Sequence, residues 1–384
     1  LSIRRQRQMC IRDRINIMSY LFLILLLTSF IAALLLAAFL MPRIIYIATK
    51  NRFLDTPDNE RKVHDRIITN LGGIGIYLGF IVVSLFSSIT LIKINEIGSL
   101  PFFHNWYYIV IATFILFITG VKDDLAGLSP FKKFVAQAVA AFIVVFFADI
   151  RLLSFHGIFW INELPYITSI IFSIVGIIFV TNAFNLIDGI DGLAGSLAAF
   201  VLAVLSVLFT LNYNYNEAII SITLLGAVLG FLKFNWAPAR IFMGDTGSLI
   251  LGFSLATLCI VFIKNIAISN KISNIISGTG GATLLTLALL IIPIFDTFRV
   301  FTVRILNGGS PFHADRNHLH HKLLDANFSH KKIALTFLIV FTFLTSITYS
   351  LHFVSTSVAC IGLFSCIFLL LIGFSKYLKA TKKD

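Results

Sequence analysis

The sequence predicts an all-α polytopic membrane protein, and three observations predict it. Of its 384 residues, 58% are hydrophobic and only 12% are charged, roughly half the ~25% charge that a soluble domain spreads over its surface. Apolar runs approach the roughly 20 residues a helix needs to cross the hydrocarbon layer, far more than a barrel strand uses. The formal charge of +12 sits on alternate segments between those runs, as a cytoplasmic collar does. Together these exclude a cytosolic enzyme, a nucleic-acid binder and a disordered tail.

Eleven spans are predicted, near 19–41, 72–92, 107–121, 133–149, 166–184, 193–211, 217–233, 247–263, 282–303, 333–351 and 356–375. The first is too long for a signal-peptide core and no small-residue cleavage site comes after it, so it is read as a retained span. The third is short. The ninth holds Pro293 and Asp296 and is expected to be broken there. The segment 150–165 (IRLLSFHGIFWINELP) alternates enough for a short hairpin. Cys259, Cys360 and Cys366 lie inside apolar runs and Cys10 lies near the start, which gives no disulfide framework.

Residues 1–17, LSIRRQRQMCIRDRINI, are unlike the rest of the chain: five arginines stand against Asp13, with no apolar period. They are expected to be a solvated, disordered basic extension or a non-native leader, since RRQRQMCIRDR resembles translated adapter sequence. The native chain would then start near Met18, and 18–384 would form a single integral membrane domain.

Alternate loops divide Lys and Arg unevenly. One set carries twenty, including Arg43, Lys62, Lys122, Lys133, Arg240, Arg316, Lys331 and Lys376; the other carries only Lys93, Arg151, Lys264 and Lys271. The basic set should face the cytoplasm, with the C-terminus inside.

The acids fall mostly at that same face. Asp123 and Asp124 close the third span in GVKDDLAGLSP, where two adjacent carboxylates repel and invite a cation or a raised pKa. Solvated carboxylates at a helix end are the alternative. Asn185, Asp188 and Asp191 stand at i, i+3 and i+6, which on a helix puts them on one face, with Gly189, Gly192 and Gly195 leaving room for close approach. In FMGDTGS, Gly244 and Gly247 bracket Asp245 ahead of the eighth span. A lone carboxylate meeting substrate phosphates at a helix N-terminus is a usual way to hold Mg²⁺; a plain N-cap is the bland reading. His318, His320 and His321 in HADRNHLHH suit zinc by spacing. No cysteine is near, and Arg316 and Lys322 make the loop electropositive, which favours anion binding or proton handling.

Together, DTPDNERKVH with Gly72–Gly73, KDD, NxxDxxDG, NWAPARIFMGDTGS and the histidine loop resemble the polyprenyl-phosphate N-acetylhexosamine-1-phosphate transferase superfamily over nearly all of 42–332. ADRNHLHHKLL and eleven spans are similar to its UDP-GlcNAc:undecaprenyl-phosphate GlcNAc-1-phosphate transferase branch. The phospho-N-acetylmuramoyl-pentapeptide transferase branch has a compact PxHHH and ten spans. Thr69 departs from the proline that often precedes the paired glycines.

The resemblance implies a cytoplasmic catalytic cleft in a bacterial plasma membrane and a Mg²⁺-dependent reaction, with Mn²⁺ as a substitute. UDP-GlcNAc and undecaprenyl phosphate would be the substrates, with no nucleic acid, and a homodimer is compatible with it. Asp245 would bind the metal, and Asp123 and Asp124 would handle the lipid phosphate. Asp188 and Asp191, grouped with them as catalytic, would line the nucleotide-sugar site with Asn185 and Asn235. Phe242 would stack on uracil, and Arg316, His318, His320 and His321 would hold the diphosphate or sugar. Lys62, His64 and Lys133 are further phosphate contacts. A transporter or lipid flippase is the rival from another class; for it only Asp296 lies deep enough.

Overall fold

The computed structural model describes residues 2–53, 68–98, 105–158, 161–268, 271–310, 317–351 and 354–381. Lys62, His64 and Arg316 lie outside the described residues. The chain forms α1 (Ser2–Lys50), α2 (Gly72–Gly98), α3 (Asn105–Ala126), α4 (Pro130–Phe142, continued by a π-turn Ile143–Phe147), α5 (Tyr166–Ile187), α6 (Leu193–Leu211) and α7 (Tyr215–Asn235). It continues with α8 (Gly244–Ile268), the short α9 (Ser273–Ile276), α10 (Gly278–Leu306), the short α11 (Leu319–Asp325), α12 (His330–Ser350) and α13 (Thr356–Thr381).

Among the described residues, ten helices are long and apolar enough to cross a membrane: α1 from Ser19, α2, α4 with its π-turn, α5–α8, α10, α12 and α13. These account for ten of the eleven expected spans, and the chain is a multi-pass membrane protein. The expected span at 107–121 lies within α3, which is not among the ten. Its apolar stretch is about 15 residues, or ~22 Å at 1.5 Å per residue, and Lys122, Asp123 and Asp124 come directly after it.

Two further expectations differ. The ninth span is not broken: α10 runs through Pro293 as one helix. A proline removes one helical hydrogen bond, which packing in a bundle tolerates, and Asp296 one turn later has partners of its own. The backbone of the basic leader is helical from Ser2 and continuous with the first span. The hairpin expected at 150–165 is met at its base, where Ser154 and Glu163 form an antiparallel bridge and the Leu164 amide donates to Leu153 O at 2.9 Å.

The core sits around α8, whose residues Thr246–Ile263 are all buried, as expected of a helix apolar on every side. It packs against α2, α3, α5, α6 and α10. Helices α1 and α7 come into backbone contact: a Cβ added at Gly226 or Gly230 would lie 2.5 Å from the carbonyl oxygen of Phe30 or Leu34. Small residues permit such approach where helices associate without a hydrophobic driving force. Alternating chain direction brings the C-termini of α3, α5 and α7 and the N-termini of α2, α4, α6 and α8 to one end, where the site forms.

Candidate active site

The first turn of α8 is the scaffold. Gly244 enters it at φ +70°, a left-handed conformation in which a side chain would be strained, and a Cβ there would sit 2.0 Å from Asn70 O. A Cβ on Gly120 would sit 2.4 Å from Thr246 Cα, so α3 lies directly on this turn. Asp124 on α3 then caps α8 from outside. It accepts from the Asp245 amide (2.8 Å), the Thr246 amide (3.0 Å) and the Thr246 hydroxyl (2.6 Å). Two of these donors are amides of the first turn, which no helical carbonyl can satisfy.

Asp123 points elsewhere. One oxygen takes the Leu128 amide at 2.5 Å; the other lies 2.8 Å from Lys133 Nζ, which lies 2.9 Å from Asp245. One ammonium therefore bridges two carboxylates from α3 and α8. The second Asp245 oxygen receives Asn185 Nδ2, which also reaches Ser248 Oγ at 2.8 Å. A part-buried Gln137–Asn182 pair, with Asn182 Nδ2 2.6 Å from Gln137 Oε1, joins α4 to α5 one turn below Lys133 and Asn185.

Asn185, Asp188 and Asp191 do not share a helical face. α5 ends at Ile187 with Asp188 as its C-cap, and Gly192 turns at φ +76° to start α6. Asp191 belongs to a different set of contacts: it accepts from the Ala239 amide at 3.0 Å, and its own amide donates to His330 Nδ1 at 3.2 Å. Asn235 braces the same turn, accepting from the Gly192 amide and donating to Ile241 O, both at 2.9 Å. Half-buried Phe242 pairs by backbone with Thr69 (2.8 Å) and Gly72 (2.9 Å).

The histidines are held by a residue to which the sequence pattern assigned no role in the site. Asp296 on α10 lies 2.9 Å from both His318 Nδ1 and Arg299, and accepts the Leu319 amide at 3.1 Å. His318 stacks on His320 with centroids 5.7 Å apart, and His320 lies against Gly189, where a Cβ would be 3.0 Å from its Nε2. The histidine segment thus meets the Asp188–Asp191 turn. The i, i+3 spacing of Asp296 and Arg299 was the available signal; for His330 there was none.

Burial, then the carboxylate of Asp245, raise the Asp123 pKa. Burial pushes Asp124 up to about 7, although the Thr246 hydroxyl and the two amides work against it. Burial, with the charges of Asp245, Asp124 and Asp191, puts Asp188 well above the usual carboxylate range. His320 is pushed down to about 3 by burial and then by His321, so its buried ring is neutral at pH 7 and does not supply the positive charge expected of the histidine loop. Among the described residues no group of three or more His, Cys, Asp or Glu side chains is arranged to hold a metal unaided. The oxygen donors Asp245 and Asn185 fit Mg²⁺, which takes one or two carboxylates and completes its shell with water and phosphate.

Residues 106–263 match the model of glycosyl transferase family 4. The chain is 31% identical over 330 residues to a probable undecaprenyl-phosphate N-acetylglucosaminyl 1-phosphate transferase of Bacillus subtilis, covering 84% of each. It is 30% identical to a decaprenyl-phosphate N-acetylglucosaminephosphotransferase of Mycolicibacterium smegmatis, covering 72% of this chain and 70% of that one. A phospho-N-acetylmuramoyl-pentapeptide-transferase of Bacillus thuringiensis is 33% identical, but over 50% of this chain and 60% of that one.

Proposed function

This chain belongs to glycosyl transferase family 4, as a polyprenyl-phosphate N-acetylhexosamine-1-phosphate transferase, and from that premise we propose its substrates and the roles of its residues. It transfers GlcNAc-1-phosphate from UDP-GlcNAc to undecaprenyl phosphate and releases UMP, starting a lipid-linked cell-envelope glycan. The observation that carries the proposal is the Asp123–Lys133–Asp245 bridge, where acids gather around a single ammonium at a helix N-terminus. The longer coverage by GlcNAc-1-phosphate transferases favours GlcNAc over the muramoyl substrate. Asp296, the acid that suited transport, is committed to His318 and Arg299, which removes that reading's main support.

Two polyanions must meet here. Asp245, with Asn185 behind it, would hold Mg²⁺, which would supply charge neutralisation to the diphosphate. Asp123, its proton affinity raised by burial and Asp245, takes the proton of the monoanionic lipid phosphate. The freed oxygen attacks the sugar-proximal phosphorus, the bond to the UMP oxygen breaks, and UMP carries that oxygen away. No covalent aspartyl-phosphate is needed, because the lipid phosphate is a nucleophile once positioned. Asp124 holds the α8 turn. Lys133 offsets the charge of Asp123 and Asp245 and contacts phosphate. Asn235 and Asp191 shape the floor of the nucleotide-sugar site, and Phe242 stacks on uracil. Arg316 and the histidines hold the diphosphate or sugar, and Lys62 and His64 are further phosphate contacts.

The end bearing the site faces the cytoplasm of a bacterial plasma membrane, because the loops at that end carry most of the Lys and Arg. There the nucleotide sugar arrives from water while the prenyl chain stays in lipid. Purified protein given UDP-[¹⁴C]GlcNAc, undecaprenyl phosphate and Mg²⁺ should yield butanol-extractable label and UMP. Absence of extractable label under those conditions refutes the proposal.

A further inference from the structure

We propose that Asp296 is a positioning residue: with Arg299 it fixes His318 so that the imidazole accepts a hydrogen bond from a hydroxyl or amide N–H of the substrate sugar through Nε2 alone. The inference rests on the transfer reaction proposed above and adds a residue to it.

Asp296 is 2% exposed on α10, yet among the described residues its side-chain hydrogen bonds go to the histidine segment and to the arginine that also holds that segment. Its Oδ2 lies 2.9 Å from His318 Nδ1. An ionised carboxylate can only accept, so that nitrogen carries the proton and Nε2 is left as the one ring atom open to a ligand. His318 Nε2 is buried with no hydrogen-bond partner among the described residues, a costly state for a polar atom unless something else completes it. The same carboxylate takes the Leu319 amide at 3.1 Å. Leu319 is the first residue of α11, and its amide has no helical partner.

Arg299 completes the clamp. Its Nη2 reaches Asp296 Oδ1 at 2.9 Å and Asn317 O at 2.5 Å, so backbone on both sides of His318 is tied to α10. The guanidinium also offsets the buried carboxylate, which lets Asp296 orient the ring without leaving an uncompensated charge in the bundle. From there the ring stacks on His320, which rests against Gly189 beside Asp188. His318 is therefore one imidazole away from the turn that carries the site's acids. A carboxylate behind an imidazole that selects which nitrogen reacts is a recurrent device.

The test is a double-mutant cycle on full-length protein in lipid nanodiscs, read as kcat/KM for the UDP-sugar. Asp296→Asn should lower it by about 10–100-fold, and His318→Ala by at least as much. The double variant should fall no further than His318→Ala, because Asp296 acts through that ring. Asp296→Glu, which keeps the charge and guards against a misfolded Asn variant, should lower kcat/KM by a smaller factor at an unchanged unfolding midpoint. A purely structural tie predicts instead that the losses multiply in the double variant. Multiplying losses, or an Asp296→Asn enzyme as active as the parent, would overturn this inference alone. An inactive parent enzyme would overturn the transfer reading and this inference with it.

Discussion

Asp149 and Asp123 are both carboxylates at an end of the helix bundle, and they have opposite surroundings. Asp149, just past the π-turn that ends α4, lies 2.7 Å from Arg151 Nε and 2.8 Å from Lys264 Nζ. Two cations serve one acid, and nothing is left over. At the other end Asp123 and Asp245 share Lys133, with Asp124 and Asp188 close enough for charge to matter. A cluster with surplus positive charge is complete as it stands and ties a loop to a helix. A cluster with surplus negative charge is complete only with another cation, and that distinguishes a site from a brace.

The sharpest way to break the comparison is to remove the charge on which the metal depends. Asp245→Asn should cut turnover by about 10³-fold or more while the unfolding midpoint in nanodiscs stays near that of the parent. Were Asp245 only a favourable charge at the start of α8, the variant would keep its activity and lose ~1 kcal/mol of stability or less.

Asp123 and Asp124 sharpen it next, because they are neighbours in sequence with unlike partners. Asp123→Asn should lower kcat by about 10²–10³-fold with little effect on folding, as it relieves repulsion from Asp245. Asp124→Ala should do the reverse in kind. It strips the cap from α8 and costs about 1–2 kcal/mol, seen as a lowered unfolding midpoint, with activity falling through the displaced turn. Equal effects of the two variants on both readouts would dissolve the distinction between base and cap.

The acids were legible as a set because charge at an apolar run's end is unusual, and their order in the chain pointed to the family. Their individual partners were not. Asp124 caps a helix that begins 120 residues later, a contact no local pattern encodes. Asn185, Asp188 and Asp191 have helical spacing, but α5 ends at Ile187 and the chain leaves the helix over 188–191, which separates Asp191 from the other two. Asp296 read as a deep, lone acid because its partner His318 lies in a different segment; only Arg299 was within local reach. The spans were readable from hydropathy except α3, whose apolar stretch is short because its last turn carries the site's acids.

Metal should stabilise only the negative cluster. Millimolar Mg²⁺ should raise the midpoint of the parent by about 2–4 °C over an EDTA-treated sample, the shift expected when ligand greatly exceeds its Kd. The shift should vanish in Asp245→Asn and persist in a variant of Asp149. A metal-induced shift that survives in Asp245→Asn would place the cation elsewhere.

The smallest effect belongs to Asp149 itself. Burial works to raise its pKa, but Lys264 and Arg151 outweigh that and hold it below the usual carboxylate value. A folded-state pKa lower than the unfolded one means stability that is present above the unfolded pKa, ~3.9, and lost as pH falls through the folded value. Its side chain is 53% exposed, so solvent screening limits the contribution to below ~1 kcal/mol. Asp149→Asn should therefore leave transfer activity unchanged and lower the midpoint slightly at pH 7. The gap to the parent should stay constant down to about pH 5 and close below about pH 4. If Asp149→Asn instead reduced turnover, charge balance alone would no longer separate a brace from a site, and the far end of the bundle would have to be read as part of the enzyme's working machinery.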